Sequence, residues 1–171
     1  MKSVLRILTL TLLMTATVAL AAHAANTDDV KITSNKMTYS ADGQSVVFIG
    51  NVVVKHPQAD LWANKVTVKL QSDPSEPADS TGITPGKVRE IIAEGDVRIK
   101  MENDRTGTAQ RVVYTLTDEL IVMTGKPKLS DGKNTIAGTT IKFWVKENRS
   151  EVLGSSSKPV EAIFSAPGKV K

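Results

Sequence analysis

The sequence predicts an all-β fold, an elongated, layered antiparallel structure built from about four two-strand repeats. Outside residues 7–20 no window keeps the 3.6-residue periodicity of an amphipathic helix. Runs of period two rich in Val, Ile and Thr recur instead between Gly, Asp, Asn and Pro. A repeat of 29–30 residues also runs through the chain. The 171 residues include no cysteine, so core packing and backbone pairing must hold the fold together.

The first 24 residues have the pattern of a secretory signal peptide. Lys2 and Arg6 form a basic segment, residues 7–20 form an apolar run, and Ala22-His23-Ala24 is a small-x-small cleavage site. The apolar run is shorter than the roughly 17–25 residues that span a bilayer. This favours cleavage over an uncleaved membrane anchor, with the exported chain starting at Ala25.

Charge and residue content argue against nucleic-acid binding and against catalysis. Without the signal peptide the chain has 20 basic and 18 acidic side chains. This excess of positive charge is too small for a nucleic-acid-binding surface, which needs clustered basic residues. Its one histidine, His56, lies beside Pro57 without a metal-spaced ligand set. A hydrolase would depend on Asp118-Glu119 or on Ser155-Ser156-Ser157. Adjacent carboxylates on a strand point to opposite faces, and the serines lack a base. We therefore expect no enzyme, no metal and no cofactor.

Two independent marks define the repeat. One is a small residue followed by x-x-Φ-x-Φ, where Φ is apolar or aromatic; the small residues are Ser34, Ala63, Ala109 and Gly138. The other is a glycine inside an apolar stretch, namely Gly50, Gly95, Gly125 and Gly154. In each series one interval is longer than the others, and both long intervals contain the proline-rich segment 71–86. Each repeat is therefore two strands, and 71–86 is a surface loop inserted in one repeat.

The glycines are expected to bend all the long strands at one level, because glycine inside a strand marks a bend or a close backbone approach. Alternation in steps of two around these marks then defines an inward apolar face. The inward residues are Phe48, Val52, Val54, Val66, Val68, Val97, Ile99, Val112, Tyr114, Ile141 and Phe143.

Stacked two-strand units without a closing element leave exposed strand edges at both ends, and such edges pair with other chains. The predicted edge residues are Val30 and Ile32 at the N-terminal end and Val160, Ala162 and Phe164 at the C-terminal end. Because the two edges differ, the contact would be heterologous and would make open chains of molecules rather than a closed dimer. The alternative is a monomer whose edges are guarded by Lys31, Glu161 and the flanking prolines.

Six short stretches in a fixed order carry a family resemblance. They read ADGQSVVFIGNVVV at 41–54, ADLWANKVTV at 59–68, EGDV at 94–97, GTA at 107–109, LIVMTG at 120–125 and IKFWVK at 141–146. Together they resemble the OstA-like family of lipopolysaccharide export proteins over residues 30–154. The loop 71–86 and a short tail after Phe164 depart from the family pattern.

The resemblance implies a β-jelly-roll of two V-shaped sheets, formed by residues 25–171 as one domain in the periplasm. It also implies an apolar groove, lined by the inward residues, that holds the acyl chains of lipid A while lipopolysaccharide moves from the inner to the outer membrane. Family members stack head to tail and connect an LptC-like inner-membrane partner to an LptD-like outer-membrane partner. Two alternatives remain open: a structural β-solenoid scaffold with a sealed core, and an LptC-like component anchored by an uncleaved N-terminus.

Overall fold

A computed structural model describes residues 30–40, 44–71, 88–101 and 104–165, and every regular element in them is a β-strand. Within these residues no helix is long and apolar enough to cross a membrane. The predicted signal peptide 1–24, all of the loop 71–86 except Gln71, and the tail beyond Ser165 lie outside the described residues. The predictions about them remain predictions.

Twelve strands are present in the described residues. They are β1 (Lys31–Thr33), β2 (Lys36–Ser40), β3 (Ser45–His56), β4 (Ala59–Leu70), β5 (Val88–Met101), β6 (Thr106–Thr115), β7 (Leu120–Thr124), β8 (Lys128–Ser130), β9 (Thr135–Ala137), β10 (Thr140–Trp144), β11 (Arg149–Leu153) and β12 (Glu161–Ile163). All of them join one antiparallel sheet, which confirms the all-β fold class.

The sheet has two halves that share β3, β4, β5 and β6. Half-sheet 1 runs from β1 across the shared strands to β8, β9 and β12. Half-sheet 2 runs from β2 across the same strands to β7, β10 and β11. Each half therefore crosses eight strand segments, and the first and last segments are edges. Buried residues of both halves form one core cluster, so the halves face each other as the two sides of a V.

Glycine-led bends separate the two halves. Gly50, Gly95 and Gly125 have φ angles of 81°, 80° and 75°, and the residue after each of them is also left-handed. In β3 and β5 this pair of residues adds one residue relative to the neighbouring strand, which makes a β-bulge. The expected bend is thus present at three of the four glycines. Gly154 lies instead at a close crossing, where an added Cβ would be 2.7 Å from the Val160 nitrogen.

A polar side chain lies against each bend. An added Cβ at Gly50 or Gly95 would be 2.8 or 2.7 Å from the amide nitrogen of Asn35 or Asn64, and one at Gly125 would be 2.5 Å from the Cβ of Gln110. The backbone N–H groups of Asn35 and Gln110 donate to the carbonyl oxygens of Gly50 and Gly125 at 2.9 and 3.0 Å. The backbone of each bend glycine therefore lies so close to the side chain of Asn35, Asn64 or Gln110 that a larger residue would clash.

Candidate functional site

The inward faces of the two half-sheets form an apolar interior, and cross-strand register arranges it in rows. In half-sheet 2 the row beside the bends contains Met37, Phe48, Val66, Ala93, Val112, Met123, Ile141 and Val152. The next row contains Tyr39, Val46, Val68, Ile91, Tyr114, Ile121, Phe143 and Ser150. Apolar character thus continues across every strand of this half, and only Ser150 interrupts it.

Half-sheet 1 supplies a matching row. Its members are Ile32, Val54, Leu61, Ile99, Gly107, Leu129, Ile136 and Ala162. A shorter row at the level of the bends contains Val52, Ala63, Val97 and Ala109. Eight segments at a spacing of roughly 4.8 Å make each full row about 34 Å long.

All eleven predicted inward residues lie on these rows. Seven of them are buried in the core cluster: Phe48, Val52, Val66, Val68, Val97, Val112 and Ile141. Val54 and Ile99 are partly buried and pack against the cluster, and Tyr114 and Phe143 are half-buried. The predicted set omitted inward residues such as Val46 and Leu61, although the same steps of two reach them.

The middle of the interior is filled by the protein's own side chains. Val46, Val52, Val66, Val97 and Ile141 are each at most 1% exposed. Additional apolar material can enter this region only if the two half-sheets move apart.

Burial also affects Tyr114 on half-sheet 2. It raises the pKa of the Tyr114 phenol, and the nearby Glu119 carboxylate raises that pKa further.

At the two ends, inward-phase residues are exposed because no further strand covers them. The predicted edge residue Val30 is exposed, while Ile32 packs against the core from β1. At the other end Val160, Ala162 and Phe164 are all exposed, and Phe164 reaches 70%. Among the described residues, β1 and β12 each pair on one side only.

Each end also has a second edge that the sequence pattern did not predict. Half-sheet 2 begins at β2, where Met37 is 54% exposed, and ends at β11, where Leu153 is also exposed. The first small-x-x-Φ-x-Φ mark, which starts at Ser34, already contained β2. Its edge position could not be inferred because the pattern does not state where a strand pairs.

Ser165 fixes the C-terminal end to the turn between β8 and β9. Its backbone N–H donates to Asn134 Oδ1 at 3.0 Å, and its hydroxyl donates to the Lys133 carbonyl at 3.1 Å. In the same turn, Asp131 accepts hydrogen bonds from the Asn134 side-chain amide and backbone, and these hold the pKa of the Asp131 carboxyl below its usual value. The exposed Phe164 is therefore held by a structured turn.

The outward faces of the two halves differ in how their charges are matched. On half-sheet 2, Glu94 lies between Lys65 and Arg111 at 3.3 and 3.6 Å, and Lys69 pairs with Glu90 at 2.7 Å. On half-sheet 1 the described strands hold one ion pair, Lys55 with Asp60 at 2.6 Å. Arg98, Lys100 and Lys128 on that face have no ion-pair partner among the described residues.

The residues considered as a metal ligand or for catalysis lie in separate elements. His56 ends β3, and its Nδ1 accepts the Gln58 backbone N–H at 3.2 Å. Asp118 and Glu119 lie in the turn between β6 and β7, so the expectation that they sit on a strand was wrong. The described residues contain no group of three or more His, Asp or Glu side chains spaced to hold a metal ion.

Comparison with known proteins gives consistent matches. The family model described as LptA/(LptD N-terminal domain) LPS transport protein matches residues 31–149. The lipopolysaccharide export system protein LptA of Escherichia coli K12 is 26% identical over 153 residues, which cover 89% of this chain and 80% of that protein. The LptA of Shigella flexneri matches equally.

A solved structure resembles the fold closely. It is LptH of Pseudomonas aeruginosa, described as the LptA-homologous periplasmic component of a lipopolysaccharide transport device. The TM-score is 0.64 at 14% identity, over 81% of this chain and 96% of LptH. This likeness supports the folded-sheet architecture described above.

Proposed function

Since the chain belongs to the LptA/LptD N-terminal-domain family of lipopolysaccharide transport proteins, we propose that it carries lipopolysaccharide through the periplasm with the acyl chains of lipid A shielded in its apolar interior. Transit would run from the inner to the outer membrane, for outer-membrane assembly. The predicted signal peptide supports export, and the similarity to LptH, described as periplasmic, supports the same compartment. Carrying lipopolysaccharide in this way requires the protein to bind the lipid but not to catalyse a reaction.

One observation carries this proposal: the apolar rows run from one end of the molecule to the other. The row from Ile32 to Ala162 crosses all eight segments of half-sheet 1, and the row from Met37 to Val152 crosses those of half-sheet 2. An acyl chain exposed to water costs about 0.8 kcal/mol for each CH₂ group. A carrier must therefore replace water along the whole chain, and a row without polar breaks can do so.

Loading would need the two half-sheets to separate, because the middle of the interior is filled. The bends at Gly50, Gly95 and Gly125 are the natural hinge line, since they lie between the halves on β3, on β5 and between β7 and β8. Side chains such as Val54 and Ile99, which are partly exposed before opening, would contact the lipid first.

Photocrosslinking tests the lipid assignment. A photoreactive residue at Val54 or Ile99 on the inward face should crosslink to lipopolysaccharide in living cells. The matched controls are Ile49 and Val113, which lie on strands β3 and β6 but point outward. Equal crosslinking from both faces would remove the groove assignment. A protein that purifies without any competable lipid would favour the scaffold alternative.

We further propose head-to-tail association, including contacts with LptC-like and LptD-like partners at the two ends. The chain crosses the molecule eight times, and successive crossings alternate in direction. Four crossings are the single strands β3, β4, β5 and β6. The other four are pairs of shorter strands: β1 and β2, β7 and β8, β9 and β10, and β11 and β12. Because eight is even, the last strand runs opposite to the first. A second copy beside β11 and β12 would present its β2 and β1 antiparallel to them, which suits strand addition in both half-sheets.

Truncation tests this association. Deleting the residues after Lys158 removes β12 and Phe164 but leaves β11, so light scattering should show weaker or lost self-association while lipid binding persists. Oligomers of unchanged size would remove the β12 edge from the proposed contact. N-terminal sequencing of the periplasmic fraction separately decides between cleavage at Ala25 and an LptC-like anchored form.

A further inference from the structure

A shallow basin lies on the outward face of half-sheet 1, on the opposite side of the sheet from the apolar interior. Its volume is about 380 Å³, and it is lined by Trp62, Arg98, Ile99, Lys100, Thr106, Gly107 and Thr108. We call it the Trp62 basin. Ile99 and Gly107 also belong to the inward row, but the other five lining residues have outward parity and lie outside the proposed acyl-chain groove.

Register explains how the basin forms. Arg98 lies directly across from Trp62 on one side and Thr108 on the other, and Lys100 lies across from Thr106. Alternation places Arg98 and Lys100 on one face, about 6.6 Å apart along β5. The long side chains on β4 and β5 stand beside the short threonines of β6, so the surface steps down into a concavity with the backbone of Ile99 and Gly107 in its floor.

Neither cation of the basin forms an ion pair with a residue that the structure describes. The carboxylate opposite Lys100 in the register is Asp60, but Lys55 already holds it at 2.6 Å. No described residue forms an ion pair with Arg98 or Lys100, and both are exposed. On half-sheet 2, by contrast, Glu90 and Glu94 match the cations beside them. An external anion would supply the missing charge.

We propose that the Trp62 basin binds a phosphorylated saccharide. The phosphate would lie between Arg98 and Lys100, because charge-assisted hydrogen bonds to phosphate oxygens are the strong ones and the arginine fork suits them. Lys55 Nζ lies over one face of the half-buried Trp62 indole, 5.4 Å from the ring centroid, so the sugar ring would pack on the other, apolar face. The hydroxyls of Thr106 and Thr108 would hydrogen-bond the sugar hydroxyls. This inference does not depend on lipid binding inside the sheet.

Titration with glucose 1-phosphate tests the proposal, with the Trp62 indole N–H signal followed by NMR in the full chain. Glucose 1-phosphate should shift this signal, and neutral glucose or inorganic phosphate alone should shift it far less. The double variant R98Q/K100Q should weaken binding about tenfold or more, as expected for losing charged hydrogen bonds. The matched control K36Q/K158Q removes two exposed cations elsewhere and should bind as the unchanged protein does.

A second arm identifies the source of the saccharide. Deacylated lipopolysaccharide that binds more tightly than glucose 1-phosphate would mark the basin as a site for the head group of a transported lipid. Weaker binding of the deacylated molecule would mark a soluble sugar phosphate as the ligand. If R98Q/K100Q and K36Q/K158Q bind glucose 1-phosphate alike, or if inorganic phosphate produces the same shift, the proposal is overturned.

Discussion

The middle strands and the end strands carry the same alternation of apolar and polar residues, yet they bury it very differently. On β3 to β6 the inward side chains beside the bends are almost fully buried and those further along are partly buried, whereas Met37 at one end and Phe164 at the other are largely exposed. The exposed residues are no more polar than the buried ones. The difference is that a middle strand has a neighbour on both sides and an end strand has one. An inward residue at an end is therefore a place where another chain can complete the interior.

The first and largest test compares one substitution in both regions. Ile141 is 1% exposed in the core, and Ile163, which has outward parity on the end strand β12, is 53% exposed. Ile141→Ala should lower the free energy of unfolding by about 2–5 kcal/mol, because it removes buried methyl groups and leaves a cavity. Ile163→Ala should change it by no more than about 0.5 kcal/mol. Urea unfolding midpoints measure both, and similar losses would show that the end is buried as well as the middle.

The second test concerns the bends between the two half-sheets. Alanine at Gly125 would place its Cβ 2.5 Å from the Cβ of Gln110 at a φ of 75°, so both overpacking and backbone strain apply. We expect a loss of about 2–4 kcal/mol. Gly132, in the turn between β8 and β9, has a φ of 84° but nothing within 4 Å of an added Cβ. Gly132→Ala should therefore cost only about 1 kcal/mol of strain. Equal losses in thermal unfolding would contradict the close packing of the bend.

The third test compares surface ion pairs. Lys69 pairs with Glu90 at 2.7 Å between middle strands, with the Glu90 side chain 23% exposed. Arg149 pairs with Glu147 at the C-terminal end, where both side chains are exposed. Lys69→Ala should cost about 1 kcal/mol or less, and Glu147→Ala less than that, since solvent screens an exposed pair. The Lys69 effect should shrink as salt is raised; an effect independent of salt would mean that packing of the lysine stem causes it.

The smallest effect appears only in alkaline solution. Because the folded-state pKa of Tyr114 is raised by burial and by Glu119, the phenol contributes its full stabilisation below the unfolded pKa of about 10. As pH rises above that value, the unfolded chain ionises first and the contribution is lost. Tyr114→Phe should flatten this alkaline decline in unfolding midpoint. A decline of unchanged slope in the variant would assign it to another group.

Much of the fold could be predicted because alternation and glycine spacing are local properties of the chain. The inward phase of Val54, Val68 and Ile141 follows from steps of two between bends. Those steps are insensitive to what lies across the sheet. The edge positions of β2 and β11 could not be predicted in this way. Both strands are short, and only their neighbours in the sheet show that they are edges.

Burial, in contrast, depended on the assembled sheet. Ile92 has outward parity, yet it is 7% exposed, because register places it between Thr67 and Val113 with paired charges on either side. Nothing in its local sequence distinguishes it from Ile49, which has the same parity and is 43% exposed. The Trp62 basin arises in the same way, from long and short side chains that register brings together across three strands.

The sequence by itself determined the strand content, the phase of the inward face and the bends at Gly50, Gly95 and Gly125, because each depends on residues that are close in the chain. Only the tertiary structure decided that β2 and β11 also end the sheet, which inward residues stay exposed and which of the described cations lack an ion-pair partner. These properties depend on cross-strand neighbours, which can be far apart in the chain. Lys65 and its partner Glu94, for example, are 29 residues apart. Pairing partners at that distance are set by the folded sheet as a whole.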